Sequence, residues 1–440
     1  MKKRVLAVIF GLSSGLSLVS CGGSSQKKVT TSGLPDRVLV SQGVTASISF
    51  GGLVFIDGQN DTLARVPPLA GGTSPGLMAI SPVRNIVAAF DQRSNSVYAS
   101  DTTKETSLGH VTLPGITSSM VIPTSSPIGY AAVPSASVNG YSLVGAVEVM
   151  NLAAGGGITT TIAVGNAQTV VSNTAGSQLL VFSNDSDSVT VLFPGLAVPP
   201  VDTSCLTNPP NDVCVIVPGF SRPVYAVIND NTAYVLNCGL QCGGSQQASV
   251  AVFDLNSLTV TNTIPVDAAT WALLNGTTLY VAGTPPPPTP GANTCTGGTT
   301  TAATTCGRLD VVDLNTMAVT HSAVITDGLH DRMDLGLNSQ LFIGSHDCTN
   351  IGNSNNPSGE VRGCLTIFNT ISGNVVIPPV NGDVVGLQGF TTRYVEYVAQ
   401  GGNLYVYDTL YDALLFTDYI PFGMIDVVGY PGDVKAIDFF

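Results

Sequence analysis

Two histidines and their acidic neighbours are the residues of this chain best suited to chemistry. Leu329-His330-Asp331-Arg332-Met333-Asp334 is followed, beyond a turn at Asn338-Ser339, by Gly344-Ser345-His346-Asp347-Cys348. Antiparallel pairing about that turn predicts Asp331 opposite His346 and His330 opposite Asp347. Two imidazoles and two carboxylates meeting at one sheet rim, with Arg332 beside them, would suit Zn, Mn or Fe ligation, or acid–base work near neutral pH. His330, Asp331, Arg332, His346 and Asp347 are therefore the candidate metal or ligand residues. The plainer expectation is a solvated rim whose His–Asp pairs cap strand ends. No motif fixes a catalytic residue, and no cofactor is expected beyond a divalent metal at this cluster.

Other patterns carry less. Gly11-Leu12-Ser13-Ser14-Gly15 fits a nucleophile elbow, but it lies in the basic-then-apolar leader, where no strand–turn–helix can form. Asp57-Gly58-Gln59-Asn60-Asp61 and Asn184-Asp185-Ser186-Asp187-Ser188 have a calcium-loop flavour. Neither has the terminal bidentate Glu, so both read as turns. P-loop, dinucleotide and HExxH motifs are absent. Trp271 is the only tryptophan, which by itself argues against an aromatic platform for sugars.

The elements that must position these residues begin after a leader. Met1-Lys2-Lys3-Arg4 precedes an apolar stretch from Val5 to Leu12, too short and too interrupted for a comfortable membrane span. Leu18-Val19-Ser20-Cys21 resembles a bacterial lipobox. That resemblance implies a signal peptide over 1–20, acylation (palmitate) of Cys21, and a lipid-anchored flexible tether over 21–36. It implies a cell-envelope protein, and Gly22 after the cysteine favours the outer membrane. Eight further cysteines fall into near neighbours: Cys205 and Cys214, Cys238 and Cys242, Cys295 and Cys306, Cys348 and Cys364. In an exported chain these read as four short-range disulfides. The zinc alternative is approached only by Cys238-Gly-Leu-Gln-Cys242.

Residues 37–440 form one domain in this reading. Charged residues are 10% of the chain and Gly numbers 48, a composition that suits short strands and tight turns rather than helices. The formal net charge of −13 argues against nucleic acid or anionic lipid as a partner, since both need a basic patch. Asp in such a chain serves mainly in turns. A period of roughly 45 to 55 residues runs through the domain. Its clearest unit is Pro223 to Asp267: VYAVIND, a turn, TAYVLN, a cysteine-bearing loop, SVAVFDLNS and TVTNTIPV. Each piece alternates apolar and polar residues at strand length, so each unit predicts one four-stranded antiparallel sheet.

These segments resemble the YVTN type of β-propeller repeat, the family that also includes lactonase-like propellers, most closely over Thr232–Asp267 and Thr277–Ile325. The family's sPdG turn is missing; Ala79-Ile80-Ser81-Pro82 is its nearest relic. The fold expected is an all-β propeller of four-stranded blades, eight by the count of C–D hairpins, with seven, the family's usual number, as the alternative. Ring closure is expected from N- and C-terminal strands sharing a blade. Two strands, 424–430 and 433–439, are expected to supply that blade's A and B positions. A solenoid fits less well, because it leaves the terminal strands without partners.

In a propeller, B–C and D–A loops gather at one face around the channel. Cys238/Cys242, Cys295/Cys306 and Cys348/Cys364 fall in B–C loops of consecutive units, whereas Cys205/Cys214 falls in a C–D excursion at the opposite face. The functional expectation is a monomeric, membrane-anchored binding or scaffold module that meets a protein or glycan partner through the stapled face. The alternative is a lactonase- or lyase-like enzyme with its His/Asp/Arg site in the seventh repeat.

Overall fold

The computed structural model describes residues 31–44, 51–138, 144–183, 185–207, 209–286, 306–348, 363–415 and 423–438. Cys21 and Cys295 lie outside them, as do the leader and most of the tether.

Eight antiparallel sheets surround a central channel. The innermost strands, taken in ring order, are Tyr430–Ala436, Pro75–Ile80, Ser119–Val121, Thr169–Ser172, Pro223–Asn229, Trp271–Asn275, Leu329–Gly336 and Val384–Gly389. Each touches the next, and the last touches the first, so the ring is closed. Blades are numbered in that order, with strands A to D running outward from the channel.

The fold answers the strand alternation in the sequence. In blade 5, Ala233 and Val235 of strand B and Ala251 and Phe253 of strand C pack toward blade 4, against Leu180, Phe182, Val189 and Val191. The residues between them, Tyr234, Leu236, Val250 and Val252, pack toward blade 6. Both faces of a blade are therefore buried, and the hydrophobic core is a series of layers between blades. Burying apolar surface on both sides of every sheet is the main stabilising contribution available to so flat an element.

The C–D turns share one device. Asp57, Asp101, Asn151, Asp254, Asp313, Asn369 and Asp408 end their C strands. Each accepts a backbone N–H two residues on, as Asp254 does from Asn256. Four residues after each stands a left-handed residue: Asp61, Glu105, Gly155, Leu258, Met317, Gly373 and Asp412. Five of the seven acceptors are Asp, the residue type that this turn chemistry favours.

Blade 4 lacks this turn. Between its C strand Ser188–Leu192 and its D strand Cys214–Pro218 the chain makes an excursion through Val201–Asp202, which pairs in parallel with Ile158–Ala163 of blade 3. The Cys205–Cys214 disulfide closes that excursion.

Closure differs from expectation in its strand count. Only Tyr430–Ala436 comes from the C-terminus; it pairs with Arg37–Gly43, which supplies strand B, in the register Val38↔Ala436 and Val40↔Val434. Met424–Ile425 instead pairs with Asn403–Asp408 inside blade 8. Arg37–Gly43 is buried along its whole length, as are the B strands Ile86–Asp91 of blade 2 and Val395–Gln400 of blade 8. Arg37 locks the seam. Its guanidinium donates to both oxygens of Asp438, to Glu105 and to the Thr102 carbonyl. Just before this strand, Ser32 donates to Glu105 from both backbone and hydroxyl, so the end of the tether segment lies against blade 2.

Candidate functional site

The inner strands of blades 2 to 7 enclose a cavity of about 840 Å³ in the channel. Strand A runs from the face bearing the D–A and B–C loops toward the A–B turns. The first residues of each inner strand therefore stand at the loop-face mouth, among them Trp271 and Leu329 to Arg332.

The loops at that mouth are tied to one another. Cys238–Cys242 and Cys348–Cys364 are disulfides in the B–C loops of blades 5 and 7. Cys306, at the end of the blade 6 loop, is disulfide-bonded as well. Thr284 of blade 6 donates its N–H to Gln241 of the blade 5 loop, and its hydroxyl to the Gly328 carbonyl entering blade 7. These loops line a second, shallower hollow of about 510 Å³ with Leu240, Asp327 and Asp347.

In blade 7 the register departs from the expected one. Leu329 pairs with His346 and His330 with Ser345, and the next pair is Arg332 with Gly344. Asp331 is the extra residue of a β-bulge, a device that re-aims a side chain. The bulge separates the two histidines. His330 is fully buried; its Nε2 bonds the Thr326 carbonyl at 2.9 Å, and a Cβ on Gly307 would come within 2.9 Å of its Cε1. Burial pulls its pKa down to about 4, so this imidazole is a neutral packing group between blades 6 and 7.

His346 does meet Asp331: Nε2 lies 3.3 Å from Oδ1. On its other side Nδ1 lies 3.9 Å from Asp383 Oδ2. The Asp331 carboxylate at this distance outweighs burial and raises the His346 pKa above its ordinary value. Asp347 holds a left-handed φ of 52°, and its N–H donates to Asp383 Oδ1. The expected pairing of His330 with Asp347 therefore does not form, and the two imidazoles share no ligand position. Among the described residues no three His, Cys, Asp or Glu side chains are placed to hold a metal ion.

Arg332 is anchored at its base, with Nε donating to the Val385 carbonyl and Nη1 to that of Asp331; Nη1 also stands 3.5 Å from Asp331 Oδ2. The lone tryptophan belongs to an aromatic pair. Trp271 and Tyr225, on the inner strands of blades 6 and 5, stack with ring centroids 3.9 Å apart and planes 16° from parallel, and both line the channel. Burial pushes the Tyr225 phenol up to about 12, and the Arg332 charge partly opposes the shift. Sequence reasoning missed Asp383, Tyr225 and Trp271 as site residues. Residues near the starts of adjacent A strands become neighbours only when the ring closes, and no local spacing signals that.

The arrangement is that of an eight-bladed β-propeller with a pocketed channel mouth. No family model and no curated protein matches this chain. Among solved structures, the chain is similar to dihydro-heme d1 dehydrogenase NirN, with a TM-score of 0.56 and 12% identity over 92% of this chain and 75% of that one. It also aligns with the periplasmic gluconolactonase PpgL of Pseudomonas aeruginosa (TM-score 0.47, 14% identity, 91% and 99% of the two chains). A putative 6-phosphogluconolactonase of Bacteroides uniformis gives 0.48 and 13%, again over 91% and 99%. At these identities the likeness is one of fold.

Proposed function

We propose that this protein is an exported, lipid-anchored binding module of the bacterial cell envelope, and that its ligand enters the channel at the disulfide-stapled face. The anchor rests on Cys21 and its lipobox-like context, with the outer membrane favoured by Gly22. The observation that carries the binding reading is the mouth itself. Loops of three consecutive blades are cross-linked and hydrogen-bonded around the opening of an 840 Å³ cavity. Pre-ordered loops lose less entropy on binding, which is how a stapled surface gains affinity.

A hydrolase or lyase reading draws on one feature, the His346–Asp331 pair beside Arg332, which could hold and release a proton at the mouth. It would use a single imidazole, since burial keeps His330 neutral and its Nε2 is taken by the Thr326 carbonyl.

The test is a thermal-shift panel of sugars, organic acids and aromatic compounds on the mature protein and on Ser118→Trp. Ser118 is exposed and lines the same cavity, so the indole fills the mouth without disturbing the core. Compounds that raise Tm in the parent alone are expected, since a ligand stabilises only the state that binds it. If every stabilising compound acts equally on both proteins, the channel is not the site. Cys21→Ser is expected to abolish palmitate labelling and release the chain from membranes; a variant still labelled contradicts the anchor.

A further inference from the structure

We propose that the channel mouth between blades 5 and 7 takes a flat, carboxylate-bearing organic molecule, its ring against the Trp271–Tyr225 pair and its acid group on Arg332. The inference rests on the channel-binding reading above and adds the ligand's chemical class.

The aromatic half of the site is prepared. Trp271 and Tyr225 are already stacked, 3.9 Å apart, so their rotamers are fixed before any ligand arrives, and a third ring orders nothing further. Stacked or edge-on aromatic contacts contribute beyond the area they bury. The polar half is Arg332. Among the described residues lining the cavity it is the only lysine or arginine, and Asp331 the only carboxylate. His330 lines the cavity too, but burial keeps it neutral.

Asp331 does not cancel the Arg332 charge. It stands 3.5 Å from Arg332 Nη1 and 3.3 Å from His346 Nε2, so one carboxylate is shared between the guanidinium and the imidazole. Backbone carbonyls hold Nε and Nη1 of the guanidinium, which fixes its plane and leaves the Nη2 edge for a ligand. An arginine held at its base with one edge presented is the geometry that binds carboxylates, because its donors match the two oxygens. The two halves line one cavity, on the inner strands of three successive blades.

Titration calorimetry at low salt on the mature protein, with 2-naphthoate, the uncharged 2-naphthalenemethanol and the cationic 2-naphthylmethylamine, tests the assignment. Naphthoate is expected to bind at least about 10-fold more tightly than the alcohol, the effect of one charge-assisted hydrogen bond, and the amine more weakly than either. Arg332→Met should weaken naphthoate by about that factor while leaving the alcohol unchanged, and Arg332→Lys should fall between. Trp271→Ala should weaken both acid and alcohol, with matching circular dichroism melts showing that the variants fold. Equal affinities for acid and alcohol, an unaffected Arg332→Met, or no binding of naphthoate up to millimolar concentration overturns the ligand class. If acid and alcohol bind equally but both are lost in Ser118→Trp, the channel reading stands and the carboxylate falls. Naphthoate binding that survives Ser118→Trp overturns both.

Discussion

The imidazole of His330 is out of water, with Nε2 on the Thr326 carbonyl and its Cε1 against Gly307. Burial holds it neutral, with a pKa near 4 against the ordinary 6.5. For a base whose folded pKa is depressed, the unfolded chain takes up a proton first on acidification. Stability is therefore intact above pH 6.5 and is lost as pH falls toward 4, by about 3 kcal/mol at the low end. Urea unfolding of the parent and of His330→Gln at pH 7.5 and pH 4.5 checks this. The parent is expected to lose up to that much more than the variant between the two pH values, and parallel losses would contradict a buried neutral imidazole. His346 has the opposite sign: its raised pKa favours the charged form, so its contribution is present at low pH and is lost as pH rises through that pKa. Two histidines sixteen residues apart thus respond oppositely to acid, because the bulge at Asp331 sends one inward and leaves the other at the rim.

At the scale of the element, the C–D turn repeats with an Asp or Asn at the end of strand C and a left-handed residue four positions later. In blade 7 the pair is Asn369 and Gly373, and the Asn369 amide oxygen accepts from both Ile371 and Ser372 N–H. Removing that acceptor leaves two turn donors to water and frees the turn in the unfolded chain. Asn369→Ala is expected to destabilise by about 1 kcal/mol, whereas Asn369→Asp, which keeps the acceptor and matches five sibling turns, should be near neutral. Chemical denaturation reads both; equal losses would mean that the polar side chain is not what sets the turn. The sequence shows this device directly, because the donors lie two and three residues from the acceptor.

For the whole molecule, the decisive contact joins the two ends of the chain. Arg37 is 1% exposed and its charge is met by Asp438 and Glu105. Taking away one partner leaves a buried cation short of compensation, which costs about 3 to 5 kcal/mol. Asp438→Ala is therefore expected to lower stability by that order in a denaturant melt, and a loss below about 1 kcal/mol would show that the ring closes without the latch. Arg393 makes a second seam contact, pairing with Asp61 between blades 8 and 1 at 2.7 Å. Both latches join the N-terminal and C-terminal parts of the chain, beside the strand pairing between Arg37–Gly43 and Tyr430–Ala436 that closes the first blade.

The sequence by itself determined the all-β class, the period, the eight hairpins and the short-range bridges Cys205–Cys214, Cys238–Cys242 and Cys348–Cys364. These are set by strand alternation and by neighbours within one blade, and both are local. The remaining features arise from long-range packing. Arg37–Gly43 pairs with the far end of the chain, at Tyr430–Ala436, and no local spacing signals that, so closure by three N-terminal strands and one C-terminal strand was not readable. The bulge moved the register by one residue at Asp331, which is enough to turn a side chain to the other face, and so separated His330 from His346. Tyr225, Trp271 and Arg332 lie on three successive blades, far apart in the chain, and share one channel mouth because a ring of sheets places the start of every inner strand around the same axis.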